Sequence, residues 1–353
     1  MSKKDFVKIV VFLFVSLLLS TNAVYAQADL NVIENPKKLG QTGMQFLTVP
    51  VNPRAAALAG AMTATESGGS VSLFYNPATM TNLSGTADLS FAQSKWIADI
   101  DYNQAGAAFK PAGGRYGVIG LSFLSVDYGS IQETVRADNE SGYLDIGTYQ
   151  PTAMAIGLGY ARSLTNIFDV GGQVKYVTQS LGQSPMSAEV DDATGDVEYV
   201  REGNSVNSLA FDFGVVYRTG FRSLVLAMDV RNFSQEITYR REEFELPLVF
   251  QIGVSMDVMD LTNLGRDMHG LVLYVDASHP RSYSEQLKLG AEYLLANTLA
   301  LRAGYRYPTD EPEFNVGIGV QQKFGNLGFS FDYAYTQFGV FGNINRLGVG
   351  FTF

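Results

Sequence analysis

A chain of 353 residues that is 46% hydrophobic but only 17% charged, and that holds 36 Gly, 19 Tyr and 23 Phe, has the palette of membrane strands rather than of soluble helical domains. Its net charge of −10, with no basic tract, excludes a nucleic-acid partner, which needs clustered Lys and Arg. The absence of cysteine excludes a disulfide, a thiolate metal site, a Cys nucleophile and a cysteine-linked lipid anchor.

In chain order, Lys3, Lys4 and Lys8 precede an apolar run from Ile9 to Leu19, and Val24-Tyr25-Ala26 stands before Gln27. This pattern predicts a secretory signal peptide over residues 1–26. The run falls short of the ~20 apolar residues that a membrane helix needs, so membrane insertion of the mature chain has to be as strands. Over residues 27–86 the text changes: Ala55, Ala56, Ala57, Ala59 and Ala61 crowd a helix-capable stretch, followed by Ser67-Gly68-Gly69-Ser70 and Asn76-Pro77-Ala78. We read a compact non-barrel segment there. Pro77 is expected to end a strand or turn. A periplasmic tail is the alternative reading of the segment.

From Ala87 to Phe353 alternation takes over. Met154, Ile156, Leu158 and Tyr160 oppose Ala155, Gly157, Gly159 and Ala161, while Leu209, Phe211, Phe213, Val215 and Tyr217 oppose Ala210, Asp212, Gly214 and Arg218. Similar segments centre near residues 91, 105, 120, 156, 175, 212, 227, 252, 273, 290, 302, 319, 332 and 349. They predict an all-β, up-and-down antiparallel transmembrane barrel of about 14 strands in the outer membrane of a Gram-negative bacterium. Tight turns are expected at Pro111-Ala112-Gly113-Gly114, Thr219-Gly220, Ala296-Asn297 and Gly325-Asn326. Long outer loops are expected over residues 126–149, 181–206 and 232–246. Val258 to Met268 is long on the periplasmic side and fits either a local insertion or a missed strand pair.

The small face of these strands carries Lys288, Glu292, Arg302, Arg306, Lys323 and Asp332, which therefore point into the lumen. Of these, Arg302, Arg306, Lys323 and Asp332 are candidates to hold the N-terminal segment by ion pairs. Trp96, Tyr102, Tyr160, Tyr176, Tyr293, Tyr305 and Tyr335 lie near strand ends, where interfacial aromatic girdles belong. The terminal run, with Gly348, Phe351 and Phe353, is similar to the recognition signal read by the outer-membrane barrel-assembly machinery. Its residues Leu347, Val349, Phe351 and Phe353 share one face.

Two stretches carry a family resemblance: Asn52-Pro53-Arg54 running into the alanine-rich segment up to Met62, and Leu73-Phe74-Tyr75 followed by Asn76-Pro77-Ala78. Together they resemble the N-terminal signature of the PorV/PorQ family, which is related to the FadL-type fatty-acid transporters. The resemblance implies a barrel of fourteen strands with an N-terminal hatch inside it, whose motif residues here are Arg54, Asn76, Pro77 and Ala78. It further implies a role in type IX protein secretion or cell-surface attachment. Cargo proteins, other secretion components, lipid and lipopolysaccharide would then be its partners. Transport of hydrophobic small molecules is the second reading and a purely structural surface protein the third.

Catalysis is not expected, and neither a cofactor nor a metal is. Ser278 and His279 are adjacent in what reads as a Pro-containing loop, and a neighbouring pair cannot easily act as nucleophile and base. Asp191-Asp192 and Glu242-Glu243 read as solvated loop charge. Gly157-Leu158-Gly159 and Gly317-Ile318-Gly319 lie mid-strand and are packing sites, not phosphate loops.

Overall fold

The computed structural model of the chain describes residues 42–190, 197–239, 241–261, 268–309 and 314–353. The expected signal peptide and Asp191-Asp192 lie outside these residues. Fourteen strands close into one antiparallel barrel. They are β1 (Ala87–Lys95), β2 (Asp101–Phe109), β3 (Val118–Asp127), β6 (Thr152–Ser163), β7 (Phe168–Val190), β8 (Val197–Arg218) and β9 (Val225–Phe233), followed by β12 (Val249–Asp257), β13 (His269–Pro280), β14 (Gln286–Leu295), β15 (Leu299–Tyr307), β16 (Phe314–Phe324), β17 (Leu327–Gln337) and β18 (Asn343–Thr352). Each pairs with its sequence neighbour in the barrel, and β1 meets β18 to close the sheet. At that seam the Phe353 N–H donates to the Ala87 carbonyl at 2.8 Å. Closure matters because an unpaired backbone amide in hydrocarbon costs several kcal/mol.

Polarity is inverted relative to a soluble sandwich. Phe91, Leu121, Leu158, Phe213, Leu301 and Phe314 are each more than 45% exposed on the outside, whereas Ala108, Ala155, Ala161, Ala210 and Ala300 are buried on the inside. Bilayer hydrocarbon is the solvent that this outer face suits, and the pattern is that of an outer-membrane barrel. The turns follow the backbone demands of tight hairpins: Ala296 and Asn297 both take positive φ, 51° and 52°, between β14 and β15.

The expected long loops are instead largely strand. Residues 126–149 contain a hairpin, β4 (Ile131–Arg136) with β5 (Tyr143–Tyr149), and residues 232–246 contain β10 (Ile237–Tyr239) with β11 (Glu242–Phe244). The third expected loop is a continuation of β7 and β8 as a two-stranded ribbon. About ten residues cross a bilayer, so roughly 30 Å of this ribbon stands clear of it. A water-facing ribbon satisfies its own backbone without any apolar face, which is why hydrophobic alternation does not reveal it. Arg201 Nη1 donates to Glu133 Oε2 at 2.7 Å and Tyr239 Oη to Asn204 Oδ1 at 2.5 Å, so the ribbon ties the two hairpins into one outer crown. Between β12 and β13 the described residues form a 3-10 turn at Val258–Leu261, and residues 262–267 lie outside the described ones.

Two further positions differ from expectation. Tyr102 is 3% exposed and faces inward, stacking edge-on with Trp96 at 6.2 Å, because it shares parity with Gln104 rather than with the lipid face. Ser278 and His279 lie within β13 rather than in a loop. Adjacent strand residues point to opposite faces, so Ser278 is buried inside while the His279 ring pairs with Glu285 at 3.1 Å outside. The exposed Glu285 carboxyl, held by its own backbone N–H and then by His279, sits below its usual range.

Candidate functional site

Among the described residues, charged side chains are buried in number in the lumen, and residues 42–83 supply many of their partners. This segment starts at the outer end, where Thr42 bridges Glu245 in parallel and bonds Ser282. It descends along the inner wall to the periplasmic end, where Lys110 Nζ donates to the carbonyls of Thr81 and Leu83 at 3.2 and 2.8 Å.

Its two Asn-Pro pairs do the same local job. Asn52 Oδ1 accepts from the Ala55 N–H at 3.2 Å with Pro53 at the first helical position, opening helix α1 (Pro53–Ala57). Asn76 Oδ1 accepts from the Ala78 N–H at 3.0 Å with Pro77 next, opening a 3-10 turn over Pro77–Asn82. Pro77 therefore starts a helix instead of ending a strand, since its fixed φ and missing N–H suit a first turn. Asn76 is fully buried and also donates from Nδ2 to the Thr63 carbonyl at 2.8 Å. Asn76→Ala is expected to cost about 1–2 kcal/mol through the lost cap, with more from the stranded Thr63 carbonyl, read as a lower thermal transition of the barrel.

The wall meets this segment with absent side chains. A Cβ on Gly304 would stand 2.4 Å from the Ala59 amide nitrogen, and one on Gly171 2.5 Å from that of Ala78. Ala55, Ala57, Leu58, Ala78 and Met80 are accordingly 0% exposed.

An alternating chain of charge then fastens α1 to the wall. Arg54 grips Glu292 with two bonds, Nε to Oε2 at 2.9 Å and Nη2 to Oε1 at 2.7 Å. Arg302 Nε donates to the same Oε2 at 2.5 Å, and its Nη1 to Asp332 Oδ1 at 2.5 Å. Glu292 and Arg302 are directly opposite across β14 and β15. Bidentate guanidinium–carboxylate geometry is the strong form of the interaction, and a buried pair broken on one side is costly. Arg302→Ala is expected to loosen α1 and raise ion leak through the barrel in liposomes; unchanged leak would count against the role.

Of the other sequence-predicted charges, Lys288 is buried on the inner face and donates to Gln251. Arg306 lies opposite it at the outer end, and Lys323 is exposed at the periplasmic end of β16 and joins none of these pairs. Gly348 faces inward against Pro53, while Phe351 and Phe353 stay on the outer side, Phe351 packing on Phe329 at 5.6 Å.

Sequence reasoning missed a second inner network. Thr63 Oγ1 donates to Asp229 Oδ1 at 2.9 Å, the Thr63 N–H donates to Asp276 Oδ2 at 3.0 Å, and Arg231 Nη1 donates to the Phe74 carbonyl at 2.8 Å. Inward parity marks these strand positions as polar, but their partner is a threonine about 170–210 residues away, which no spacing announces. Above α1 opens an outer vestibule of about 320 Å³, walled by Trp96, Tyr283, Phe338 and several prolines over Arg231, Lys288, Arg306 and Arg346.

Among solved structures, the toluene transporter TbuX of Ralstonia pickettii matches with a TM-score of 0.55 at 13% identity, over 85% of this chain and 96% of that one. The toluene transporter TodX of Pseudomonas putida gives 0.53 at 12% identity, over 85% and 96%. The monoaromatic hydrocarbon channel CymD gives 0.51 at 12%, over 86% and 96%. Likeness at such identities shows a shared barrel fold and nothing of substrate. No curated protein sequence matches the chain. A family model for the type IX secretion system membrane protein PorP/SprF matches residues 143–345, which run from β5 into the last strand. The PorV/PorQ-like residues 52–78 precede that match. With more than half its length so matched, the chain belongs to the PorP/SprF family of type IX secretion system membrane proteins.

Proposed function

We propose that this barrel serves protein secretion or cell-surface attachment as a plugged docking barrel of PorV-like type, with no catalytic step. Residues 42–83 act in this reading as a hatch, and cargo proteins or other secretion components engage the outer crown. The observation that carries it is the combination of family membership with the charge chain Arg54, Glu292, Arg302 and Asp332, which anchors the inner segment beneath an ordered set of polar hairpins. The competing reading is a transporter of hydrophobic small molecules. A gap in the wall at the third strand would favour it, yet β3 pairs without interruption with β2 from Phe109 to Asp101 and with β6 from Ala161 to Thr152. Fully buried contacts of α1 with the wall also argue against a wide passage.

Deleting the gene in its host and comparing secreted and surface-attached proteins with uptake of hydrophobic compounds tests the choice. Loss of surface proteins with unchanged uptake is expected. Normal secretion with impaired uptake would transfer the assignment to transport.

A further inference from the structure

The outer vestibule carries a chemistry that docking of proteins does not use. Four cations line it, and among the described residues no Asp or Glu does. Two of them are compensated from below: Arg231 Nε donates to Asp229 Oδ2 at 3.2 Å, and Lys288 lies above Asp229 and Asp276. The other two have no carboxylate among the described residues. Arg346, 1% exposed, gives Nε to the Pro50 carbonyl and Nη1 to Thr336 Oγ1, both at 2.8 Å, and lies over the Trp96 ring at 5.3 Å, so these partners are all neutral. Arg306 makes no hydrogen bond or ion pair among the described residues, and its buried Nε has no acceptor. It also stands directly across the β14–β15 pair from Lys288, a like-charge placement that weakens a sheet.

A second orphan donor lines the same space. Asn315 is 4% exposed and its Nδ2 has no acceptor. In the relay beside it the Thr336 hydroxyl accepts from Arg346 and gives its proton to Asn315 Oδ1 at 2.7 Å. The relay therefore ends on Asn315, which lines the vestibule and whose buried Nδ2 has no acceptor among the described residues. Buried donors left unmade are costly, and here two of them, Arg306 Nε and Asn315 Nδ2, belong to residues that line one cavity together with Arg346.

We propose that the vestibule binds a doubly charged tetrahedral oxyanion, a phosphate group, between Arg306 and Arg346 with Asn315 Nδ2 as a third donor. Two unmatched guanidiniums call for about two negative charges, and their planar forks suit phosphate oxygens. A monocarboxylate leaves one of the two cations unmatched. The volume, about 320 Å³, lies at the small end of ligand pockets and admits the phosphate with part of what carries it. The inference does not depend on the secretion reading.

The full chain purified in detergent is titrated calorimetrically with inorganic phosphate and with acetate. Saturable one-site phosphate binding, at least ten-fold tighter than acetate, is expected. Arg306→Met should weaken it at least ten-fold. Asn315→Asp, nearly the same shape, should do likewise by turning a donor into a repelling carboxylate; heat-modifiable gel mobility reports whether each variant keeps its barrel. No saturable phosphate binding by the unmodified protein, or a folded Asn315→Asp with unchanged affinity, overturns the proposal. Nanodiscs containing lipid A with and without its phosphates identify the source. Competition by the phosphorylated form alone points to a lipid headgroup, and retained binding of free phosphate without competition points to a soluble one. Failure of phosphate to bind leaves the secretion reading untouched, since the deletion phenotype decides that separately.

Discussion

Glu292→Ala is expected to lower barrel stability by roughly 3–5 kcal/mol, the usual cost of removing one partner from a buried ion pair. Glu292 is 8% exposed and satisfies two guanidiniums at once. Without it Arg302 keeps Asp332, but among the described residues the one hydrogen bond left to Arg54 is that to the Tyr274 hydroxyl at 3.4 Å. The charge stranded at Arg54 is then expelled toward water, taking α1 with it. Two measurements follow: a lower temperature for the heat-modifiable mobility shift, and trypsin cleavage after Arg54 that the unmodified protein resists. Replacing Arg54 and Glu292 together with methionines should recover much of the loss, because no buried charge is then left alone on α1. A single variant as stable and as trypsin-resistant as the parent would remove the anchoring role.

Gly304→Val tests the same interface by shape alone. Its Cβ would meet the Leu58 carbonyl carbon and the Ala59 nitrogen at 2.4 Å and the Ala57 oxygen at 2.6 Å, all of them backbone atoms of the inner segment. Backbone cannot swing aside as a flexible side-chain end can, so either the helix leaves its seat or the strand bends. Overpacking of this kind costs about 1–3 kcal/mol, with more where backbone must move. The outer face of β15 is untouched, so barrel insertion should persist while Arg54 becomes open to trypsin and conductance in planar bilayers rises. Intact protection with a resistance unchanged from the parent would show that the contact yields cheaply.

The barrel was legible because lipid imposes one rule on every strand. Large apolar residues such as Ile156, Leu158 and Tyr160 have to face out, small or polar ones such as Ala155 and Gly159 in, and the alternation survives in the sequence at each crossing. The rule fails where water replaces lipid. The far halves of β7 and β8 obey no apolar pattern and read as loop, although their backbones pair. It also fails to separate the two reasons for an aromatic at a strand end, which is how Tyr102 reads as a girdle residue when parity turns it inward. Inward charge could be assigned from parity alone at Glu292, Arg302 and Asp332, but their partner could not. Glu292 and Arg54 are 238 positions apart and meet only because the chain folds back through its own lumen. Lys323 has the same parity but is exposed near the end of β16, where it joins none of these pairs, and it is Gly317 of that strand that meets Ala57.

The route of residues 42–83 ties together parts of the ring that lie far apart in the chain. Their last stretch, Pro77–Asn82, rests on β6, β7 and β8, all from the first half of the barrel, whereas α1 rests on β15 to β18, the last four strands of the ring. Pro53 lies against Gly348 in the strand that completes the ring. The threaded portion is therefore fully seated only when both halves of the wall stand: its helix finds a floor on the last four strands and its final turn on early ones, so the position of the segment and the closed ring presuppose each other.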